Sequence, residues 1–411
     1  MFKSKTIWLF IGSAFSQFLT LITSFYIVTH VNATVFGQFS FFVAVASILG
    51  SVATLKFEQS IVVSPDANSA QDKFNLSVQT AFLLTLVCLP CLFLLKPALS
   101  LKEVFLVFIL ANSIVINACL QQIFLYLELH IYNCFLSISY AFFNLLFVFF
   151  LINDEGGLKI SYTLAYVFST LGFIFVLYKF NLSLRIFPLR RYFDMFKESK
   201  HYPKYIFPGA VLSILLSYAH PIIINYQYQE RFVGLFSISL RILMLPTILV
   251  GSVVSGLFRS KISNLFLKEK KEFIYEESLV LIKQLLISAV VIFPILLYCL
   301  LNIRYFVKLK GWDGIEYVAP ILSLYVLAQY FYMPISNIPL VCEQKKLLFK
   351  MNIYQFSVNI LAYLIAFIFK LDFYIFLYLL SILMILFSFF ACYKFVISVR
   401  HYSLGNSAQV D

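Results

Sequence analysis

Twelve unbroken apolar runs, each about 20 residues long, leave this chain few ways to fold in water and an obvious one in a bilayer. An α-helix needs about that length to cross roughly 30 Å of hydrocarbon. The runs cover 6–29, 36–55, 76–95, 103–127, 132–152, 160–178, 204–226, 232–256, 278–301, 317–339, 350–369 and 372–393. Because they are continuously apolar, without the alternation of a closed barrel's strands, they satisfy their backbone groups as helices. Hydrophobic residues make up 62% of the chain and charged residues 12%, with a mean hydropathy of +0.91; a soluble domain has roughly half and a quarter. The sequence predicts an all-α, multi-pass membrane protein.

A net charge of +12 would suggest nucleic acid in a soluble protein. Here its meaning depends on which loops hold it. With the N-terminus inside, 21 of the 31 Lys and Arg fall in inner loops and tails and 8 in outer ones, leaving Arg241 and Lys283 within helices. That asymmetry predicts cytoplasmic termini by the positive-inside rule and leaves no reason to expect a nucleic-acid partner. The first run, after Lys3 and Lys5, is too long for a cleaved signal and reads as an uncleaved span.

The stretch 179–204 holds seven of the basic residues and is the longest polar interruption near the middle. It divides the chain into a six-helix lobe (1–178), a cytoplasmic basic linker (179–203), a second six-helix lobe (204–393) and a cytoplasmic tail (394–411). Phe36-Gly37-Gln38-Phe39-Ser40 opens the second run and Val233-Gly234-Leu235-Phe236-Ser237 the eighth, so G-x-F-S returns six helices later. A parallel repeat of an even number of helices implies a symmetry axis along the membrane normal and a central cavity between lobes.

Loops are short. The longest outer one, roughly 15 residues around Arg304, Lys308, Lys310, Gly311, Trp312 and Asp313, has no room for an external catalytic domain. No P-loop or dinucleotide glycine fingerprint is present. Neither enzymatic activity nor a cofactor is expected, and a proton or sodium gradient is a candidate for energy coupling. Of the seven cysteines, Cys88 and Cys91 form a CxxC around Pro90 inside a span, without a His or acidic neighbour in sequence, and read as packing residues.

Arg241 lies deeper in its run than a loop residue would. A charge at the bilayer centre costs roughly 2.5–3.5 kcal/mol on insertion scales, so it should face protein or water. Its guanidinium suits phosphate oxygens, the competing role being to hold a helix carbonyl or carboxylate. Lys283 sits nearer the inner end of its run, where its ammonium can snorkel. Lys56 and Glu58 follow the second run; two apart on a helix, they would point to different sides and not pair simply. Glu58 is a candidate for ion coupling, or, with Lys56, a wetted helix end. In the seventh run Pro208 and Pro221 predict kinks or unwound turns, and His220 a group that titrates near neutral pH or a structural hydrogen-bonding residue. Gln17, Asn112, Asn117, Gln121, Asn144, Gln329, Asn337, Gln355 and Asn359 are expected mostly to bridge helices.

Several stretches, in order, are similar to the Wzx-type polysaccharide flippases, whose superfamily (MOP) also holds the MATE drug exporters and the lipid II flippases. They are Val35 to Phe39; Leu55-Lys56-Phe57-Glu58-Gln59-Ser60-Ile61-Val62, which resembles that family's basic-x-E-x-A-I-V segment; Val233 to Ser237 running into Leu240-Arg241-Ile242-Leu243 with Pro246; and Gly311-Trp312. Lys56 replaces the usual arginine and Ser60 the usual alanine. The resemblance implies two MATE-like lobes moving an undecaprenyl-diphosphate-linked oligosaccharide across a bacterial inner membrane by alternating access. It further implies that Arg241, helped by Lys56 and Lys283, meets the diphosphate, with membrane lipids, a polymerase and chain-length proteins as partners. The alternatives are a cation-coupled drug or metabolite exporter of the same fold, which would need carboxylates deep in its helices, and a polysaccharide polymerase or ligase, which would need a large outer loop.

Overall fold

The computed structural model describes residues 2–95, 100–152, 156–180, 182, 184–268, 270, 272–302, 311–342 and 344–403. Among them are twelve long helices: α1 (Phe2–His30), α2 (Ala33–Ala53), α4 (Ala67–Leu95), α5 (Leu101–Tyr126), α6 (His130–Leu151), α7 (Gly157–Lys179), α9 (Phe207–Gln227), α10 (Glu230–Leu267), α11 (Glu272–Leu301), α12 (Ile315–Ile335), α14 (Lys345–Ile368) and α15 (Phe373–Ser403). Short helices α3 (Gln59–Val62), α8 (Leu189–Glu198) and α13 (Asn337–Val341) sit in the connections. No strand occurs among the described residues. Ten of the long helices have the length and hydropathy to cross a membrane, and the chain is a multi-pass membrane protein.

Each long helix falls on one of the twelve apolar runs, but several outgrow them. Helix α4 begins nine residues before the predicted 76, where Asp66 accepts the Ser69 N–H through its side chain at 2.7 Å. Capping groups, not hydropathy, set where a helix starts. Helix α11 likewise begins at Glu272, whose carboxylate suits the positive end of the helix dipole. Helix α15 continues past 393 to Ser403. The tight α5–α6 and α14–α15 junctions share one device: Glu128 (φ 56°) and Lys370 (φ 47°) take the left-handed conformation, and the next residue's N–H reaches back to the helix, Leu129 to Phe124 O at 2.8 Å and Leu371 to Ala366 O at 3.0 Å. Arg304, Lys308 and Lys310 of the long outer connection, the side chain of Pro246 and the tail beyond 403 lie outside the described residues.

The chain forms two compact units, Met1–Gly234 and Leu235–Asp411. In the first, α5 is central, packing on α2, α4 and α7, while α1 packs on α6 and α6 on α7. One buried cluster joins Phe74, Val115, Leu120, Phe124 and Leu136; another joins Phe41, Phe42, Val45, Val104 and Leu110. In the second, α12 and α15 form the main seam, with α11 and α14 against α15. Ser381 and Ser388, one heptad apart, donate to Ile321 O at 3.0 Å and Ala328 O at 2.7 Å, so small hydroxyl residues let the two backbones approach.

The G-x-F-S repeat acquires a structural meaning within the first unit. A Cβ on Gly37 would sit 1.9 Å from Glu230 O, and one on Gly234 would sit 1.8 Å from Ala33 O. Ala33 and Glu230 stand 197 residues apart, as do Gly37 and Gly234, so the first turns of α2 and α10 make reciprocal contacts. Backbone-to-backbone approach this close admits only glycine. Gln38 adds a hydrogen bond from its Nε2 to Glu230 Oε2 at 2.7 Å.

Candidate transport site

Lys56 and Glu58 do form an ion pair, Nζ to Oε1 at 3.1 Å, contrary to the helical expectation. The chain is not helical there. Leu55 and Lys56 both take left-handed angles (φ 50° and 64°), so α2 ends at Ala53 and turns sharply before α3. Each such non-glycine residue costs about 1–2 kcal/mol, which the surrounding packing has to hold. Phe57 supplies part of that packing, fully buried with Leu76, Phe187 and Tyr192 and edge-on to Phe196 at 5.2 Å. Glu58 is 6% exposed, and its Oε2 has no hydrogen bond among the described residues.

The basic linker docks beside this elbow. Gln79 of α4 clamps its extended part at Phe187, accepting from the N–H at 3.0 Å and donating to the carbonyl at 3.1 Å. Asn75 accepts from Arg185 N at 3.0 Å, Arg191 pairs with Asp72 at 2.8 Å, and Tyr192 shares a hydrogen bond with Thr80 at 3.2 Å. The basic linker is thus fastened to α4 through 185–192, and α8 and the linker belong to the first unit.

Arg241 is the twelfth residue of α10, roughly 17 Å along it, half-buried and without a hydrogen bond or ion pair among the described residues. Lys283 is the twelfth residue of α11, which begins at Glu272 rather than 278; its side chain is exposed. The described carboxylates lie in connections, in α8 or in the first two turns of a helix. Before α9, the turn Tyr202–Ile206 is π-helical, with Phe207 N bonded to Tyr202 O, and Pro208 follows directly. A widened turn accommodates a residue that has no N–H to give. At Pro221 the helix does not unwind: α9 runs on to Gln227, because one lost hydrogen bond leaves the neighbouring turns intact. His220 is buried beside it.

Single uncharged residues gave no hint of a further feature. Ser16, Gln17 and Thr20 of α1, Asn117 and Gln121 of α5, Ser137 and Tyr140 of α6, and Tyr166 of α7 surround a cavity of about 150 Å³ in the first unit, and none of its lining among the described residues is charged. Spacings of three and four put each set on one helical face, and those polar stripes at 16/20, 117/121 and 137/140 were the available signal. Of the other polar span residues, Asn112 bridges to Thr85 at 3.0 Å and Asn337 to Ser255 at 2.6 Å, as expected.

No family profile and no curated protein matches the sequence. Solved structures do. An inward-facing multidrug resistance MATE family transporter of the MOP superfamily superposes with a TM-score of 0.68 at 15% identity, covering 95% of this chain and 96% of that one. The fold is MATE-like. An outward-facing MATE transporter gives 0.62 at 16% identity over 99% and 97% of the two chains. A MOP superfamily transporter from Pyrococcus furiosus, described as having a binding pocket of reverse polarity, gives 0.57 at 14% over 99% and 97%. These neighbours are transporters, and what this chain shares with them is the MATE-like fold.

Proposed function

We propose that this chain is a flippase in a bacterial inner membrane. It moves undecaprenyl-diphosphate-linked oligosaccharide units from the cytoplasmic to the periplasmic face by alternating access, for O-antigen, capsule or exopolysaccharide assembly. The observation that carries this reading is the placement of charge. Arg241 stands mid-helix without a protein partner among the described residues, while the described carboxylates stay near helix ends or in connections. A cavity that holds a diphosphate needs cations in place of its hydration, and a guanidinium offers paired donors. An exporter of cationic drugs needs the opposite arrangement. The fold itself is equally compatible with cation-coupled export, so charge is what separates the two readings. A polymerase or ligase is disfavoured by the transporter fold of the neighbours.

In this scheme Arg241 binds the diphosphate, with Lys56 and Lys283 adding positive charge. Glu58, held by Lys56 through one oxygen and with the other lacking a hydrogen bond among the described residues, is the group for proton or sodium coupling. Pro208, at the π-turn, and the His220–Pro221 pair of α9 are the gating elements. Both termini and the linker face the cytoplasm, and a polymerase and chain-length proteins receive the exported unit. A strain lacking this chain should lose surface polysaccharide and regain it with the wild type but not with Arg241→Ala inserted at equal level. Full recovery with Arg241→Ala removes Arg241 from the site.

A further inference from the structure

We infer that the uncharged cavity of the first unit is a binding subsite for a single neutral sugar residue; this rests on the flippase reading and specifies how the glycan part of the cargo is held. The argument starts from what lines the cavity. Buried polar surface within a membrane helix bundle is costly unless it is hydrogen-bonded, and here it is gathered from four helices around one space. Part of the lining satisfies itself. Gln121 donates to Asn117 Oδ1 at 3.1 Å, and Thr20 donates to Ser16 O at 2.8 Å. The Gln17 amide is different, since it lines the cavity and makes no hydrogen bond among the described residues. A helix-bridging role therefore does not explain it.

The chemistry of the lining selects the ligand class. Amides and hydroxyls that both donate and accept match the hydroxyl and acetamido groups of a sugar, whose groups also do both. The rings of Tyr140 and Tyr166, with centroids 4.2 Å apart, add an aromatic wall for the apolar face of a pyranose. The described lining, which carries no charge, offers nothing to hold a uronate or a cationic drug. Size narrows the choice further: about 150 Å³ falls below the roughly 300–1,000 Å³ of drug-sized pockets. It suits one sugar residue of a repeat unit, the remainder lying outside.

The test is equilibrium binding of two radiolabelled probes to the purified full-length protein in nanodiscs: undecaprenyl diphosphate bearing one N-acetylhexosamine, and undecaprenyl diphosphate alone. The wild type should bind the glycosylated probe about tenfold more tightly, the effect of one or two net hydrogen bonds. Gln17→Met, which removes no hydrogen bond among the described residues, and Asn117→Leu should abolish that preference while leaving affinity for the bare carrier unchanged. Equal wild-type affinity for the two probes, or a preference that survives both substitutions, would overturn the subsite and leave the flippase reading standing. Binding of neither probe by the wild type would overturn the flippase reading, and the subsite with it.

Discussion

Lys56 and Glu58 show how far a single residue's behaviour depends on the backbone beneath it. On a helix the two would diverge; at an elbow with two left-handed residues they meet at 3.1 Å. Their side chains are 16% and 8% exposed, so the pair is largely shielded from water. Removing one member of a buried pair typically costs about 3–5 kcal/mol, because the survivor is left uncompensated. Lys56→Met should therefore destabilise the protein more than the Lys56→Met/Glu58→Gln double substitution does. Thermal unfolding of the wild type, Lys56→Met, Glu58→Gln and the double variant in detergent measures this, and simple additivity of the single effects would show that the pair is not coupled. The sequence made both residues legible as candidates. Their contact was not legible, since nothing in a run of apolar and polar letters announces consecutive left-handed residues at Leu55 and Lys56. The cavity around Gln17 was hidden for another reason: its lining is dispersed from position 16 to 166, and each member alone is an ordinary span residue.

Among the elements, the close approach of α2 and α10 carries the sharpest expectation. A methyl on Gly234 meets backbone at Ala33, which cannot swing aside as a side chain can. Gly234→Ala should cost on the order of 2 kcal/mol or more, and Gly37→Ala about as much. Both would appear as lowered melting temperature in detergent, and unchanged stability would contradict the packing. The tight junctions make the opposite prediction. Glu128 and Lys370 occupy conformations that glycine adopts freely, so Lys370→Gly should stabilise by roughly 0.5–1 kcal/mol, net of glycine's extra freedom in the unfolded chain. Hydropathy located all twelve long helices because burial of apolar residues in lipid fixes where each span lies. It missed the ends of α4, α11 and α15, where caps and terminal charges decide, and the amphipathic α8, which no apolar run marks.

At the scale of the whole molecule, the repeated glycine motif and the count of helices already pointed to two lobes, and the MATE-like fold agrees with that reading. A MATE-like fold serves different cargoes, so the cargo must be read from charge and polarity. Mid-helix cations, described carboxylates near helix ends or in connections, and a neutral polar cavity fit an anionic lipid head bearing sugars better than a cationic drug. The most direct measurement is translocation by the purified protein in liposomes, using undecaprenyl diphosphate linked to a labelled glycan and an external enzyme that cleaves only exposed sugar. Protein-dependent exposure of the inner-leaflet glycan, reduced at least tenfold by Arg241→Ala, is the predicted result. Glycan that stays protected with correctly inserted wild-type protein, across imposed proton and sodium gradients, would contradict the account.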